Sequence, residues 1–341
     1  MIEENDLPLI NPETDPNPVP LILFVNPKSG GELGSQLIHV VQDDPTIHIV
    51  VLPNDIETWS QTNMDVIQNP FSRIVIAGGD GSMNWVVSLL FEFYSNAPPD
   101  LRRPPICVIP LGTGNDLSRA LGWGKGMTSH KIKKIDRILT PIRLATHLED
   151  VDIWELVVTT NSTGEQTKYH LLNYFSLGID GEIAYEYEKK RETFKTRIGS
   201  FLSYVPTSLS AMIHERPMKD YCTASISLQN QSQTIEFQPK EKTIIFQAIP
   251  SMYAGKDPWN SPIPRSMDDH KCEVMAHKGV MSLGFEQMGI KSGRVLGQCD
   301  YARLEVSEPC CFQIDGEGIP VSEPSVFEFH HFGTYPMYFK K

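Results

Sequence analysis

Residues 76–87 read IAGGDGSMNWVV, and this stretch decides the fold of the first part of the chain. The apolar run RIVIA (73–77) leads into three glycines and one aspartate, and an almost wholly apolar helical pattern follows, in which we expect Trp85 to be a core residue. A plain turn needs one glycine, so three glycines indicate that something comes very close to the backbone. The stretch therefore predicts a buried strand, a glycine loop and a helix.

The same unit recurs along the first part of the chain. Its apolar runs are continuous rather than alternating, which is typical of strands buried on both faces of a parallel sheet covered by helices. The predicted strands are LILFV (21–25), IHIVVL (47–52), RIVIA (73–77) and ICVI (106–109).

The second part of the chain has a different pattern of apolar and polar residues. Short alternating runs predict a mostly antiparallel domain, interrupted by helical segments around 182–213 and 281–298. These runs are YCTASISL (221–228), KTIIFQA (242–248), KCEVMAH (271–277), ARLEV (302–306), CFQIDG (311–316) and SVFEFHH (325–331). The sequence thus predicts an α/β domain at 21–145 and a β-rich domain at 146–341, after an extended, proline-rich tail at 1–20.

Three glycine loops follow strands of the predicted parallel sheet: NPKSGG (26–31), GGDGS (78–82) and PLGTGND (110–116). The carboxyl ends of parallel strands meet at one edge, where the following helices direct N–H groups and positive dipole ends. Each loop alone is more often a plain turn than a site. Three loops in the same context predict a phosphate-binding edge.

The polar residues of these loops suit a nucleotide. Hydroxyls of Ser29, Ser82 and Thr113 are able to bond phosphate oxygens, and Lys28 supplies positive charge. Asp80 and Asp116 would repel phosphate unless Mg²⁺ bridges the two, as phosphoryl transfer requires. The Walker pattern and a true GxGxxG are both absent, which excludes an ordinary P-loop and a typical dinucleotide fold.

Taken together, these segments resemble the eukaryotic diacylglycerol kinases. The resemblance covers about residues 21–339, and its most specific parts are PLGTGNDLSR followed by NYFSLGID and IDGE. It rests on NPKSGG, GGDGS, PLGTGNDLSRALGWG (110–124), NYFSLGIDGEIA (173–184), IPSMYAGKDPW (249–259) and IDGEG (314–318). It implies a phosphofructokinase-like α/β domain and a β-rich second domain, and in relatives the last strand returns to the first domain. It also implies transfer of the ATP γ-phosphate to the hydroxyl of diacylglycerol, giving phosphatidic acid.

The resemblance also implies residue roles. Nucleotide phosphates would be lined by Asn26, Pro27, Lys28, Ser29 and Gly30, by Gly79, Asp80, Gly81 and Ser82, and by Gly112 and Thr113. Asp116 would close the site from the third loop as a catalytic residue beside Asp80. Asp80 would lie in the magnesium–phosphate neighbourhood, and Glu317 would be the catalytic base. Without the resemblance, Asp315-Gly316-Glu317 is interpreted as a hairpin turn, since Asp-Gly between alternating residues is a common hairpin signal.

Some positions depart from the family pattern. Asp269 aligns with a position that binds structural Mg²⁺ in bacterial relatives, but His270 stands where glycine is usual. Ser82 replaces the more common threonine and keeps its hydroxyl. Ala254 replaces a usual glycine, and the cysteine-rich zinc modules of many relatives are missing.

The composition limits which classes of partner and which cellular compartment we expect for this chain. A formal charge of −12 argues against nucleic acid, since phosphate contacts need a basic face. Six scattered cysteines without metal spacing indicate reduced thiols in a cytosolic protein. The start MIEENDLPLI is too poor in apolar residues for a signal peptide, and no run is long enough to span a membrane. We therefore expect a cytoplasmic protein that touches membranes peripherally; its oligomeric state is open.

Two basic stretches are candidates for membrane contact, KGMTSHKIKKIDR (125–137) and YEKKRETFKTR (187–197). For each, a solvated helix face over a core-facing stripe is the favoured interpretation. Two other functions stay open. One is a sphingosine or ceramide kinase, and the other is a catalytically silent lipid-binding scaffold, against which the joint presence of Asp80, Asp116 and Glu317 argues.

Overall fold

The computed structural model of the chain describes residues 19–190 and 216–340, apart from the side chains of Lys190 and Gln287. The predicted tail and most of the helical segment 182–213 lie outside this range. The described chain divides into two compact units. The first contains residues up to Val151 and from Tyr335 onward, and the second contains Asp152–Thr334. Residues 146–151 thus belong to the first unit.

The first unit is a parallel sheet with helices. Its strands run in the order β2–β1–β3–β4, and all three neighbouring pairs are parallel. The strands are β1 (Leu21–Val25), β2 (Ile47–Val51), β3 (Arg73–Gly78) and β4 (Ile106–Pro110). The helices are α1 (Ser29–Val41), α2 (Trp59–Gln68), α3 (Asp80–Asn96), α4 (Asp116–Ala120), α5 (Ser129–Ile132) and α6 (Asp136–Arg143). The continuous apolar runs are buried at nearly every position, as a two-sided parallel sheet requires.

The end of the chain completes this unit. Met337 pairs in parallel with Ile106 of β4. The indole of Trp123 donates to the carbonyl oxygen of Tyr338 at 2.7 Å, and the amide of Lys340 donates to the carbonyl oxygen of Leu121. The last strand therefore begins in the second unit and ends in the first.

The second unit contains two sheets. One runs in the order β6–β5–β16–β13–β8–β9, and the other, antiparallel throughout, in the order β12–β11–β10–β7–β14–β15. The strands are β5 (Leu148–Thr160, shared with the first unit), β6 (Gln166–Leu171), β7 (Tyr174–Gly178), β8 (Cys222–Leu228), β9 (Gln231–Ile235), β10 (Thr243–Gln247), β11 (Cys272–His277), β12 (Arg294–Cys299), β13 (Tyr301–Val306), β14 (Cys310–Ile314), β15 (Glu317–Val321) and β16 (Ser325–Tyr338). The helices are α7 (Ile179–Lys190) and α8 (Val280–Gln287).

Stacked aromatic rings from both sheets form the core of the second unit. Phe175 stacks on Phe246 with ring centroids 5.4 Å apart, and on Phe329 at 5.9 Å. Burial of such rings is the largest apolar contribution to a core of this size. The predicted α/β plus β-rich fold class is confirmed. The helical prediction for 281–298 is wrong in its second half, where Arg294–Cys299 forms a strand. None of the helices in the described part of the chain is long and apolar enough to cross a bilayer.

Candidate functional site

The three glycine loops of the first unit meet at the carboxyl ends of β1, β3 and β4. The side-chain amide of Asn26 lies 3.4 Å from the hydroxyl of Ser82, which joins the first loop to the second. The amides of Leu111 and Gly112 donate to the carbonyl oxygen of Gly78 at 2.8 and 3.2 Å, which joins the third loop to the second. The structure thus brings the predicted loops together at one sheet edge.

Glycine is required where these loops touch. A β-carbon on Gly112 would overlap the Cα of Gly79, and one on Gly30 would overlap the carbonyl oxygen of Leu111. Gly30 also has a φ of 66°, in the left-handed region that side chains rarely adopt. The glycines of the motifs therefore serve first to let three backbones approach one another.

Two helices begin at this edge. Asp80, Gly81 and Ser82 form the first turn of the 17-residue helix α3, with Gly79 just before it. Pro27 and Lys28 precede α1, which contains Ser29, and residues Gly30–Glu32 depart from helical geometry before the regular turns begin. A helix N-terminus presents N–H groups and the positive end of the dipole, which favour a phosphate.

The carboxylates of Asp80 and Asp116 both lie close to Gly114. A β-carbon on Gly114 would lie 2.9 Å from Oδ2 of Asp80 and 3.5 Å from Oδ2 of Asp116. Burial, followed by the negative charge of Asp116, raises the pKa of Asp80 to about 6. Backbone amides of the third loop partly oppose this, and that of Leu117 donates to Oδ1 of Asp80 at 3.3 Å. Two neighbouring carboxylates at this position also attract a divalent cation.

The donor set at this point fits Mg²⁺. Mg²⁺ prefers hard oxygen ligands and is usually held by one or two carboxylates together with substrate phosphates. The paired oxygens of Asp80 and Asp116, beside a residue without a side chain, meet that description.

Asn115 and Arg119 shape the third loop, and sequence reasoning assigned them no role. Asn115 has a left-handed backbone (φ 53°), and its side-chain amide donates to the carbonyl oxygens of Gly112 and Lys125 at 2.7 and 3.0 Å. Arg119 Nε donates to the carbonyl oxygen of Gly114 at 2.9 Å. The clue was present in GTGND, because asparagine is one of the few residues that tolerate this backbone conformation. Thr113 lies between Gly112 and Gly114, whose carbonyl oxygens accept these bonds, and it is partly exposed.

Glu317 lies in the second unit, directly after the turn of a tight hairpin. Asp315 and Gly316, both with positive φ, form the two-residue turn between β14 and β15. Oδ1 of Asp315 accepts the amides of Asn173 and Tyr174 at 3.0 Å each, so the turn is tied to the NYFSLGID segment. Glu317 is exposed at the start of β15. The segment therefore forms the hairpin turn, and the same turn leaves the carboxylate of Glu317 accessible to solvent.

A buried polar network supports this hairpin and was not predicted. Asp180, in NYFSLGID, accepts the hydroxyl of Ser176 at 2.6 Å and that of Tyr253, from IPSMYAG, at 2.8 Å. Burial raises the pKa of Asp180, and these two hydroxyls and the amide of Gln313 oppose the rise. Gln313 in turn accepts the amide of Gly316 at 2.7 Å. Three of the quoted motifs thus meet around one carboxylate.

The remaining predicted residues have simpler surroundings. Asp269, the second predicted magnesium ligand, accepts the amide of Lys271 at 3.1 Å and lies 3.5 Å from its ammonium group. Trp85 is 43% exposed, so its prediction as a core residue is wrong. Helix α3 buries one face only, and Trp85 lies on the other.

The first basic stretch follows the favoured interpretation. Ile132 and Ile135 are buried in the core of the first unit, while the neighbouring lysines and Arg137 are exposed. The stretch forms parts of two short helices, α5 and α6, rather than one amphipathic helix. The second basic stretch lies outside the described residues from Arg191 onward.

Comparison with protein families gives two matches along the chain. The model of the diacylglycerol kinase catalytic domain matches residues 20–147, and that of the diacylglycerol kinase accessory domain matches residues 170–318. Together they span most of the chain. These ranges contain all three glycine loops, the Asp180 network and Glu317.

Curated proteins give the same family. The chain is 30% identical to human diacylglycerol kinase theta over 344 residues, which is 91% of this chain and 34% of that protein. It is 31% identical to the eye-specific diacylglycerol kinase of Drosophila melanogaster, over 94% of this chain and 22% of that protein. For diacylglycerol kinase 2 of Arabidopsis thaliana the identity is 28%, over 93% and 46%. The chain thus spans less than half the length of these relatives.

Solved structures share the fold. A diacylglycerol kinase from Bacillus anthracis superposes with a TM-score of 0.58 at 20% identity, over 96% of this chain and 99% of that one. Yeast NADH kinase superposes with a TM-score of 0.50 at 13% identity, over 97% and 89%. At these identities the likeness concerns the fold alone. The two domain matches and the curated relatives carry the assignment: the chain belongs to the diacylglycerol kinase family.

Proposed function

We propose that this chain is an ATP-dependent lipid kinase that transfers the γ-phosphate of ATP to the free hydroxyl of diacylglycerol, giving phosphatidic acid and ADP. One observation carries the proposal: three glycine loops meet at two helix N-termini beside the carboxylate pair of Asp80 and Asp116. A scaffold without catalysis has no need to hold the carboxyl of Asp80 at a raised pKa beside a second carboxylate.

The residues of the first unit would bind the nucleotide. Asn26, Pro27, Lys28, Ser29 and Gly30 would line its phosphates from the first loop. The second and third loops would contribute Gly79, Gly81 and Ser82, and Gly112 and Thr113. Asp80 and Asp116 would hold Mg²⁺, which when bound neutralises charge that develops on the phosphate oxygens.

Glu317 is proposed as the general base. Its exposed carboxylate takes the proton of the lipid hydroxyl while that oxygen bonds to the γ-phosphorus and the bond from phosphorus to the β,γ-bridging oxygen breaks. ADP leaves with the electron pair of that bond. A positioned base contributes roughly 10²- to 10⁴-fold to such a rate. The hairpin bonds of Asp315 and the Asp180 network would fix the direction in which Glu317 points.

Peripheral contact with a membrane is part of the proposal, because the acceptor is a lipid. We place this contact at the exposed face of α8, where Met281, Phe285 and Met288 follow helical spacing i, i+4, i+7 and Ile290 follows. Met281 is 76% exposed and Met288 is 63% exposed. Exposure of such an apolar face to water costs free energy. Faces of this kind insert at the boundary between the lipid headgroups and the acyl chains.

The charges around α8 fit an anionic lipid surface. The exposed residue Lys278 precedes the helix, and Lys291, whose ammonium group also donates to the carbonyl oxygen of Trp259, follows it. Each lysine near anionic lipid contributes about 1 kcal/mol. The single acid between them in the sequence is Glu286, which is buried and accepts the amides of Ser292 and Gly293. A chain with a formal charge of −12 thus has no exposed acid on this helix.

The test of the activity is a lipid panel. Radiolabelled ATP is offered with mixed micelles that contain diacylglycerol, sphingosine or ceramide, with Mg²⁺ and then with excess chelator. We expect label in diacylglycerol only, and only with Mg²⁺. Preferential label in sphingosine or ceramide would move the assignment to that class, and no label in any lipid would favour a silent scaffold.

A further inference from the structure

A cluster of side chains of the kind that bind metals lies in the second unit, in part on the loop that also contains Asp269. Asp152 of β5, His270 of the loop before β11 and His331 of β16 each place one candidate ligand atom in it. Oδ1 of Asp152 lies 3.1 Å from Nε2 of His331 and 3.8 Å from Nε2 of His270. All three ligand atoms lie within 4.8 Å of one another.

The carboxylate of this cluster is fixed in place. The side chain of Asp152 is 2% exposed, and its Oδ2 accepts the backbone amide of His270 at 2.8 Å. The amide of Asp152 donates to the carbonyl oxygen of Met267 at 2.7 Å, so the loop 267–270 is tied to β5 at two points. His270 itself has a φ of 57°, a conformation that suits glycine better. The imidazole is therefore placed by the backbone beside the second histidine.

The two imidazoles share one carboxylate oxygen. Their rings are stacked with centroids 4.1 Å apart, and both face Oδ1 of Asp152. A ring nitrogen binds a metal in the plane of its ring, so the exposed ring of His270 would turn out of the stack for one divalent cation to be bound by both Nε2 atoms and by Oδ1.

We propose that Asp152, His270 and His331 form a binding site for Zn²⁺. Zinc–ligand distances near 2.0–2.2 Å place tetrahedral ligand atoms about 3.3 Å apart, between the two distances seen here. Two imidazoles and one carboxylate suit zinc rather than magnesium, which prefers oxygen. The fourth ligand would be water, because the side chain of His270 is 59% exposed. The metal would fasten the loop before β11 to β5 and β16.

A second histidine cluster offers a matched control. Glu155 lies 3.4 Å from His170, 3.4 Å from His330 and 3.2 Å from the ammonium group of Lys168. The lysine already compensates this carboxylate, and a cation would be repelled there. His330 is the direct neighbour of His331 in the sequence, so a variant at His330 tests for unspecific histidine effects.

The experiment is a zinc titration of the full chain by calorimetry, with Co²⁺ absorption as a second probe of ligand type. We expect one Zn²⁺ per chain, a Tm that rises with Zn²⁺ and falls back with chelator, and tetrahedral Co²⁺ bands. His270→Gly, which suits the backbone at this position, and His331→Asn should lose the calorimetric site, whereas His330→Asn should keep it.

Two results would overturn the proposal: the absence of one-to-one Zn²⁺ binding to the unaltered chain, or unchanged binding in His270→Gly. Should His331→Asn fail to fold because His331 packs against Trp154, His270→Gly still decides. Binding lost equally in His330→Asn would point to unspecific capture by histidines and would also overturn it.

Discussion

The carboxylate oxygens of Asp80 and Asp116 lie beside the same Cα, that of Gly114, within 3.5 Å of where its missing side chain would begin. Burial, and after it the negative charge of Asp116, raises the pKa of Asp80 to about 6. The charged form needed for a cation is therefore the main form at pH 7 and is lost as the pH falls through 6. This pair gives the site a measurable pH response.

Mg²⁺ binding should weaken below this pKa. Because Mg²⁺ must displace a proton from Asp80, its apparent affinity in the presence of ATP should fall about tenfold per pH unit below 6. The measurement is a Mg²⁺ titration of ATP binding from about pH 5 to 8. The Asp80→Asn variant is the control: it shows the pH dependence that comes from ATP itself, and its Mg²⁺ affinity should lack the additional fall that Asp80 causes. Equal pH profiles in both proteins would contradict the assignment.

The same substitution should act on stability in the opposite direction. A carboxyl whose pKa is raised on folding destabilises the folded state. This effect grows as the pH rises from the pKa of the unfolded state to the pKa of about 6 in the folded state. Without metal, Asp80→Asn should therefore raise the free energy of unfolding at pH 7 by up to about 3 kcal/mol while it weakens Mg²⁺ binding. Urea denaturation at pH 7 and pH 4 checks this, since the gain should vanish at the lower pH.

Glu317→Gln should keep ATP binding and lower turnover by about 10²-fold or more, because the amide cannot take a proton. The carboxylate is exposed at the start of β15, so the variant should fold normally. Single-turnover kinetics with diacylglycerol micelles give the rate, and equilibrium ATP binding is the control. Unchanged turnover would remove Glu317 from its proposed role.

Gly112→Ala should disrupt the contact between the second and third loops. The new methyl group would overlap the Cα of Gly79, and backbone has little freedom to move away. We expect ATP affinity to drop by about tenfold or more, equivalent to about 1.4 kcal/mol. Gly284→Ala in α8 is the matched control, because nothing lies within 4 Å of its β-carbon position. An ATP Kd that changes equally in both variants would argue against loop contact as the cause.

Tyr253→Phe should lower kcat without changing the KM for ATP. Loss of the hydroxyl leaves the buried carboxylate of Asp180 with one donor fewer, at a cost of about 1–3 kcal/mol, and loosens the support of the Gly316 turn. Steady-state kinetics separates the two parameters, and Tm reports the stability loss. A change in KM for ATP at constant kcat would show that this network does not serve Glu317.

Replacing Met281 and Met288 together by serine should weaken binding to vesicles of phosphatidylcholine and phosphatidylserine severalfold. Both side chains are exposed, so the core should stay intact. Met64→Ser, at an exposed methionine of α2, is the control. Turnover on short-chain, water-soluble diacylglycerol should stay near that of the unaltered chain. Vesicle sedimentation that shows equal binding in all proteins would exclude this face of α8.

Much of the first unit was predictable because its signals are local. Strands such as LILFV are continuous apolar runs, and parallel strands must end at one edge, so the meeting of the three loops follows from the pattern. The exposure of Trp85 was missed although a signal for it was present. Asn84, Ser88 and Glu92 form a polar stripe at helical spacing in α3, and Trp85 lies on the same side of the helix as Glu92, seven residues further on.

The contacts of the second unit depend on residues far apart in the sequence. Asp180 meets Tyr253 across 73 positions, and Asp152 meets His331 across 179. No periodicity in a single segment predicts such pairs. Strand β12 was missed because its sequence, RVLGQC, alternates too weakly to stand out after a helix.

The return of the last strand has a consequence for how the protein is made. Residues Tyr335–Tyr338 pair and bond within the unit that begins at the other end of the chain. During translation the first unit therefore stays incomplete until residues 335–338 have left the ribosome. Deleting these residues would injure the unit that is synthesised first.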